Sequence, residues 1–319
     1  MLKDFLSKGK VFKLICGATN NDTEQIEALI KIFSLAGCKF FDVSCTKEAI
    51  KAAKKGVLGT KNAYICASVG LGDDKHLKKA KINEKNCRKC KKCKEICPQN
   101  AIKNEKINQE KCVGCRMCQT VCPSGCIFFE NANFDIKQAI EIAKEENIDC
   151  FELHCSIKDK SSIIKAFEEI NEQFDKIISI SIDRSKLGDD EILELLSEFV
   201  KSREPYTTII QAEGCPITGG ENTAKATLQT VAFAELIYRQ QLPAYIFLSG
   251  GVNEKSFSVA KACEIEICGI SMGSYARKFV KEFLHRDFLK DSKMMEKAVK
   301  TAQNLVKSAF FDKIKDGLK

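Results

Sequence analysis

No run of apolar residues in the 319-residue chain approaches the length of a bilayer span, so no transmembrane helix is expected and no membrane insertion. The opening stretch, Met1 to Lys10, is charged and lacks the apolar core of a secretory leader, which predicts a soluble, cytoplasmic protein. Aromatic residues are absent between Cys87 and Cys122, which removes the stacking platforms on which single-stranded nucleic acids are held. A nucleic-acid partner is therefore disfavoured despite the net charge of +8. The excess charge is local: residues 82–127 hold ten Lys/Arg against four Glu. A basic shell of this kind offsets anionic thiolates, and the same patch can dock an acidic redox partner protein.

What is abundant is cysteine, 18 residues in all. Eight of them form a repeat. Cys87-x2-Cys90-x2-Cys93-x3-Cys97-Pro98 recurs 25 residues later as Cys112-x2-Cys115-x2-Cys118-x3-Cys122-Pro123, extending to Ile102 and Ile127. Three closely spaced thiolates wrap one corner of an iron-sulfur cube, and the fourth, before proline, reaches the other cluster. On that rule cluster I takes Cys87, Cys90, Cys93 and Cys122, and cluster II takes Cys97, Cys112, Cys115 and Cys118. Structural zinc is the competing assignment, but it uses two separated pairs of ligands rather than a triplet and a Cys-Pro. The pattern resembles the bacterial two-cluster ferredoxins, which implies two 4Fe-4S clusters. Most of the other cysteines sit in apolar runs as small hydrophobes, and exposed cubane clusters need a reducing compartment, so disulfides are not expected.

Outside the repeat, strand-type apolar runs alternate with amphipathic helical stretches, the signature of parallel βαβ units. Strands are expected at 12–16, 40–43, 63–68, 150–154, 177–182, 207–212, 244–248 and 265–271. Helices are expected from about 23 to Gly37, at 47–55, 134–147, 161–173, 189–202, 222–240 and 254–262, with a final helical region at about 277–311. Eight units predict an α/β fold, a (β/α)8 TIM-like barrel, with an open doubly wound sheet as the alternative. Residues 1–75 then carry the first three strands, 76–133 an inserted two-cluster ferredoxin-like module after strand 3, and 134–319 the remaining strands and C-terminal helices. An insertion between a strand and its helix lies at the face where barrels keep their sites.

Alternate strand residues face a barrel's interior. Glu152 and His154 share one such face, as do Ser179, Ser181 and Asp183, and Gln211 and Glu213, with Asp42 expected at the same mouth. Ile178, Ile180, Ile182 and Ile210 should face the helices. Carboxylates and an imidazole gathered there are costly unless paired or holding a ligand, so a small-molecule site and a satisfied structural network are the two accounts. In the first account Glu152, His154, Asp183 and Glu213 handle protons. Ser249, Gly250 and Gly251, with Gly273 and Ser274, form loops able to bind FMN or another phosphate-bearing ligand, with Arg277 as a fixed charge or a helix cover. The loop from Glu213 to Glu221 is a candidate lid, and its Cys215 is either a reactive thiol or a buried turn residue. The sixth and seventh strands carry no lysine, which argues against Schiff-base chemistry there.

Lys13-Leu14-Ile15-Cys16-Gly17-Ala18, the double cysteine motif, Gln211-Ala212-Glu213-Gly214-x-Pro216-Ile217-Thr218-Gly219 and Gly273-Ser274-Tyr275-Ala276-Arg277-Lys278 together look like the LdpA family. These are the light-dependent period iron-sulfur proteins described in cyanobacteria. The resemblance spans most of the chain and implies a redox-active protein linked there to sensing of cellular redox state and clock input. Two functions stand open. One is electron transfer or redox sensing by the clusters with a protein partner. The alternative is a ferredoxin-fed barrel oxidoreductase with a flavin or substrate at the mouth.

Overall fold

A computed structural model describes residues 1–17, 20–72, 78–109, 111–112, 114–131, 135–214, 223–284 and 291–310. The chain opens with a short helix, α1 (Leu2–Leu6), followed by β1 (Val11–Ile15), α2 (Thr23–Leu35), β2 (Phe40–Ser44), α3 (Lys47–Gly56) and β3 (Tyr64–Gly72). A cysteine-rich segment follows with β4 (Lys78–Ile82), α4 (Lys92–Ile96), β5 (Ile102–Lys103), β6 (Lys106–Ile107), α5 (Met117–Thr120) and β7 (Ile127–Asn131). The alternation then resumes with α6 (Ile136–Glu145), β8 (Cys150–Ser156), α7 (Lys160–Gln173), β9 (Ile177–Ile182), α8 (Asp189–Lys201) and β10 (Thr208–Glu213). It ends with α9 (Thr223–Arg239), β11 (Tyr245–Ser249), α10 (Ser256–Ala262), β12 (Gly269–Met272), α11 (Ser274–Val280) and α12 (Ser292–Ser308).

Eight strands close into one parallel barrel in the order β1-β2-β3-β8-β9-β10-β11-β12, so the barrel expected from counting βα units is formed. Helix entry follows from capping side chains: the carboxylate of Asp22 accepts the Gln25 backbone N–H at 3.2 Å, and the Thr46 hydroxyl accepts that of Ala49 at the same distance. The strand faces alternate as the sequence pattern requires. Ile178, Ile180, Ile182 and Ile210 all pack in the apolar shell between barrel and helices.

The barrel interior is built in tiers. At the amino-terminal ends Val11, Phe40, Cys66, Cys150, Ile177, Ile209, Tyr245 and Phe247 make an apolar floor. Leu2 and Leu6 of α1, 5% and 1% exposed, plug it from below. Two leucines of the opening stretch, brought onto one helix face by their i, i+4 spacing, thus supply core side chains. Above the floor the interior is polar. Lys13, Asp42, Ser68, Glu152, Ser179, Gln211 and Ser271 are all buried there.

Other boundaries moved for physical reasons. β3 and β8 run on to Gly72 and Ser156 because they pair with each other over seven residues, from Cys66 with Cys150 to Gly72 with Ser156. β12 begins only at Gly269, where an added Cβ would stand 2.4 Å from the Val11 carbonyl and 2.5 Å from the Phe247 ring.

In the cysteine-rich segment β4 pairs antiparallel with β7, and β5 with β6. The repeat is visible in the backbone: α4 and α5 start at equivalent positions, each after a left-handed residue, Lys91 and Arg116, both at φ 63°. Among the described residues no helix is long and apolar enough to cross a membrane.

Candidate functional site

Two cavities lie in the cysteine-rich segment. The first, about 130 Å³, is lined by Cys87, Cys90, Cys93 and Cys122, with Cys126 beside them. The second is lined by Cys97, Cys112, Cys115 and Cys118. Each cavity therefore gathers the triplet of one repeat and the Cys-Pro cysteine of the other. Backbone N–H groups point at the sulfurs: Lys89 donates to Cys87 Sγ at 3.4 Å, Ala101 to Cys97 Sγ at 3.3 Å and Ala80 to Cys112 Sγ at 3.4 Å.

The cavities differ in exposure. Cys90 is exposed and Cys87, Cys93 and Cys122 are half-buried, whereas Cys112 and Cys118 are buried. Burial pushes the Cys118 thiol up to about 12, with the neighbouring Cys115 and Cys112 adding to it. At Cys122 burial also acts to raise the thiol, but hydrogen bonds from Ser124 and Cys126 outweigh it and hold it near about 7. Soft sulfur ligands in sets of four fit iron-sulfur chemistry, and the first cavity is also lined by Arg88, Lys89, Lys91 and Lys94. The second cavity adjoins the barrel. Gln99 in its wall accepts from Gln25 Nε2 of α2 at 3.0 Å, and Lys111 Nζ lies 3.5 Å from the Asp22 carboxylate.

The polar groups of the barrel fall into three sets rather than the single cluster expected. The deepest centres on Lys13, the first residue of the Lys13–Ala18 motif. Its ammonium is fully buried, 2.8 Å from Asp42 Oδ2, and it donates to Glu152 Oε2. The ammonium also lies over the Phe40 ring, with the nitrogen 5.3 Å from the centroid. Glu152 also accepts from Ser179 at 2.8 Å and Gln211 at 2.9 Å, and Gln211 accepts from Ser271 at 2.9 Å. Ser68 donates to Asp42 Oδ1.

Burial alone would lower the Lys13 ammonium, but the carboxylates of Asp42 and Glu152 raise it well above its usual value. Glu152 has more donors than Asp42. Burial tends to raise it, yet Lys13 and the Ser179 and Gln211 hydrogen bonds hold it below the usual carboxylate range. Asp42 is pushed up to about 6 by burial, against the pull of Lys13. Asp42, Cys66 and Glu152 place ligand-type atoms within 4.8 Å of one another, and the Lys13 ammonium supplies the positive charge among them.

One tier higher, His154 Nε2 is 3.0 Å from Glu213 Oε2, which also accepts from Ser181 at 2.8 Å. Apart from these, Ser156 donates to Asp183 at 2.7 Å. Burial works to raise the Asp183 carboxyl, but Ser156 and Ser185 hold it below its ordinary value. Asp42 and Glu152 thus belong to a sealed tier, and His154, Asp183 and Glu213 to the rim above it.

The glycine loops are shaped by side chains behind them. Gly250 and Gly251 have φ of 63° and 86°, the Ser249 carbonyl accepts from Thr230 at 3.1 Å, and that of Gly251 from Thr227 at 2.8 Å. Gly273 precedes Ser274 at the start of α11, and Arg277 on that helix donates back to the Cys16 carbonyl. Cys215 and the rest of the suggested lid, residues 215–221, lie outside the described residues.

The sequence of this chain matches two family models, the Light dependent period A C-terminal domain over residues 142–309 and the LdpA Fe-S cluster-binding domain over residues 85–132. It is 25% identical to Light dependent period A of Synechococcus elongatus, over 94% of this chain and 91% of that protein. Among solved structures it resembles the YdjI aldolase from Escherichia coli K12, with a TM-score of 0.51 over 99% of this chain and 96% of that one. At 8% identity that likeness concerns the barrel alone. The cysteine pattern, the two thiol-lined cavities and the family matches agree: the chain is an iron-sulfur protein and belongs to the Light dependent period A family.

Proposed function

We propose that each cysteine-lined cavity holds one 4Fe-4S cluster and that the protein acts in electron transfer or redox sensing. One observation carries this reading: the eight cysteines of the repeat divide four and four between two cavities, each set crossing from one repeat to the other. Cys87, Cys90, Cys93 and Cys122 would hold cluster I, and Cys97, Cys112, Cys115 and Cys118 cluster II. The clusters supply one-electron chemistry when bound. Around them the chain offers N–H···S bonds and a ring of cations, Arg88, Lys89, Lys91 and Lys94 at the first cavity, both of which raise a cluster's potential. The more exposed first cavity faces an acidic redox partner protein in this reading, and the second faces the barrel.

A second reading, a barrel oxidoreductase fed by the clusters, is favoured by the polar route from the second cavity into the β1 loop. Gln99 bonds Gln25, and Asn20 Nδ2 bonds both Gln25 Oε1 and the Cys16 carbonyl at 3.1 Å. A flavin such as FMN, or another phosphate-bearing ligand, would then sit near Ser249, Gly250, Gly251, Gly273 and Ser274, with His154, Asp183 and Glu213 at the rim. Anaerobic purification, EPR of the reduced protein and analysis of the supernatant after denaturation separate the two. Cluster signals with no released organic cofactor, and partner binding that changes with redox state, are expected. Stoichiometric flavin in the supernatant overturns the first reading in favour of the second.

A further inference from the structure

Five thiols, not four, line the first cavity, the fifth being Cys126. Cys126 is 5% exposed, and its Sγ lies 3.5 Å from that of Cys122. The intervening Pro123-Ser124-Gly125 turns the chain back on itself: the Gly125 N–H donates to the Cys122 carbonyl at 3.3 Å, and Gly125 takes a φ of 59°. A left-handed residue closes the turn and brings both sulfurs to one wall.

The second cavity is an internal control. The position 25 residues before Cys126 is Ala101, which follows Cys97 by the same four residues. Ala101 is 3% exposed, so the same site in the other half is also buried, but it presents a methyl group. The two halves of the repeat therefore differ in the number of thiols offered, five in one cavity and four in the other.

We infer that Cys126 is a reserve ligand of the first cluster, able to replace Cys122 on iron. The inference rests on the reading that this cavity holds a 4Fe-4S cluster. In the exchange the iron–sulfur bond to Cys122 breaks, one to Cys126 forms, and the Cys126 proton passes to the departing Cys122 thiolate. No electron is gained or lost, so neither oxidant nor reductant is consumed. The two sulfurs are already in contact, so the exchange needs a side-chain rotation rather than a rearranged backbone. The consequence is asymmetric. Cys122 is half-buried and Cys126 buried, so the more open cluster has a protected substitute for one of its ligands. Among the described residues, the second cavity has no equivalent substitute for Cys97.

The test uses the full chain, reconstituted anaerobically, with iron counted and EPR recorded after reduction. Wild type and Cys126→Ala should each hold about eight irons. Cys122→Ala should also hold about eight, with an altered cluster I signal, while Cys97→Ala and the double variant Cys122→Ala/Cys126→Ala should fall to about four. If Cys122→Ala alone falls to about four while wild type holds about eight, Cys126 is only a packed core cysteine and the inference is wrong. If wild type itself never reaches about eight, the two-cluster reading fails instead.

Discussion

Replacing Lys13 with methionine keeps the shape of the side chain and deletes the ammonium between Asp42 and Glu152. Both carboxylates are buried, 1% and 6% exposed, so water cannot take the place of the lost charge. Removing one partner of a buried ion pair costs about 3–5 kcal/mol, because the remaining charge stays uncompensated. At about 2 °C per kcal/mol for a chain of this size, Lys13→Met should melt about 6–10 °C below wild type. The sign of the pH effect follows from what Lys13 does to both acids. It holds their proton affinities down, so without it the folded variant binds protons more tightly than its unfolded chain. The variant should then gain stability, relative to wild type, as pH falls. Thermal unfolding followed by circular dichroism at about pH 8 and about pH 5.5, on protein kept anaerobic, reads both effects. A variant that melts within about 2 °C of wild type at both values would refute the role of Lys13 as counter-ion of the barrel's polar tier.

Asp42→Asn removes a group whose folded value, about 6, lies above its ordinary 3.8. The stability contributed by a raised carboxyl is present below the ordinary value and lost as pH rises through the folded one, so the advantage of wild type over Asp42→Asn should shrink across that window in urea titrations. An advantage that stays flat would mean that Asp42 does not titrate there. Leu6→Ala opens the floor plug and should cost about 2–5 kcal/mol by denaturant unfolding; a loss under about 1 kcal/mol would show that α1 is dispensable. Gly269→Ala should cost at least about 1–3 kcal/mol by the same assay, since its new methyl meets the Val11 carbonyl and the Phe247 ring. Wild-type stability in this variant would mean that the β1–β12 seam yields freely.

The features legible in the sequence are those written in local spacing. The cysteine repeat can be sorted into two sets from its intervals alone, because ligand spacing is a local constraint. The outward faces of β9 and β10 were readable because Ile178, Ile180, Ile182 and Ile210 obey a two-residue period. Lys13 was not. It too obeys the period, between Val11 and Ile15, but lysine is almost never fully buried unless paired. Its partners Asp42 and Glu152 arrive from strands 29 and 139 positions away. The same distance hid the separation of Glu152 from His154, which share a strand face yet belong to different tiers once β9 and β10 supply Ser179 and Gln211 to one and Ser181 and Glu213 to the other. Helix α1 is not legible in the sequence because five residues are too few for a periodic signal, and its worth depends on the barrel floor it covers.

The proposed function rests on two cubane clusters in this chain. Iron and acid-labile sulfide, counted per chain after anaerobic reconstitution and desalting, test it most directly. About eight of each and negligible zinc are expected. About four of each, or tightly held zinc with no sulfide, would contradict it.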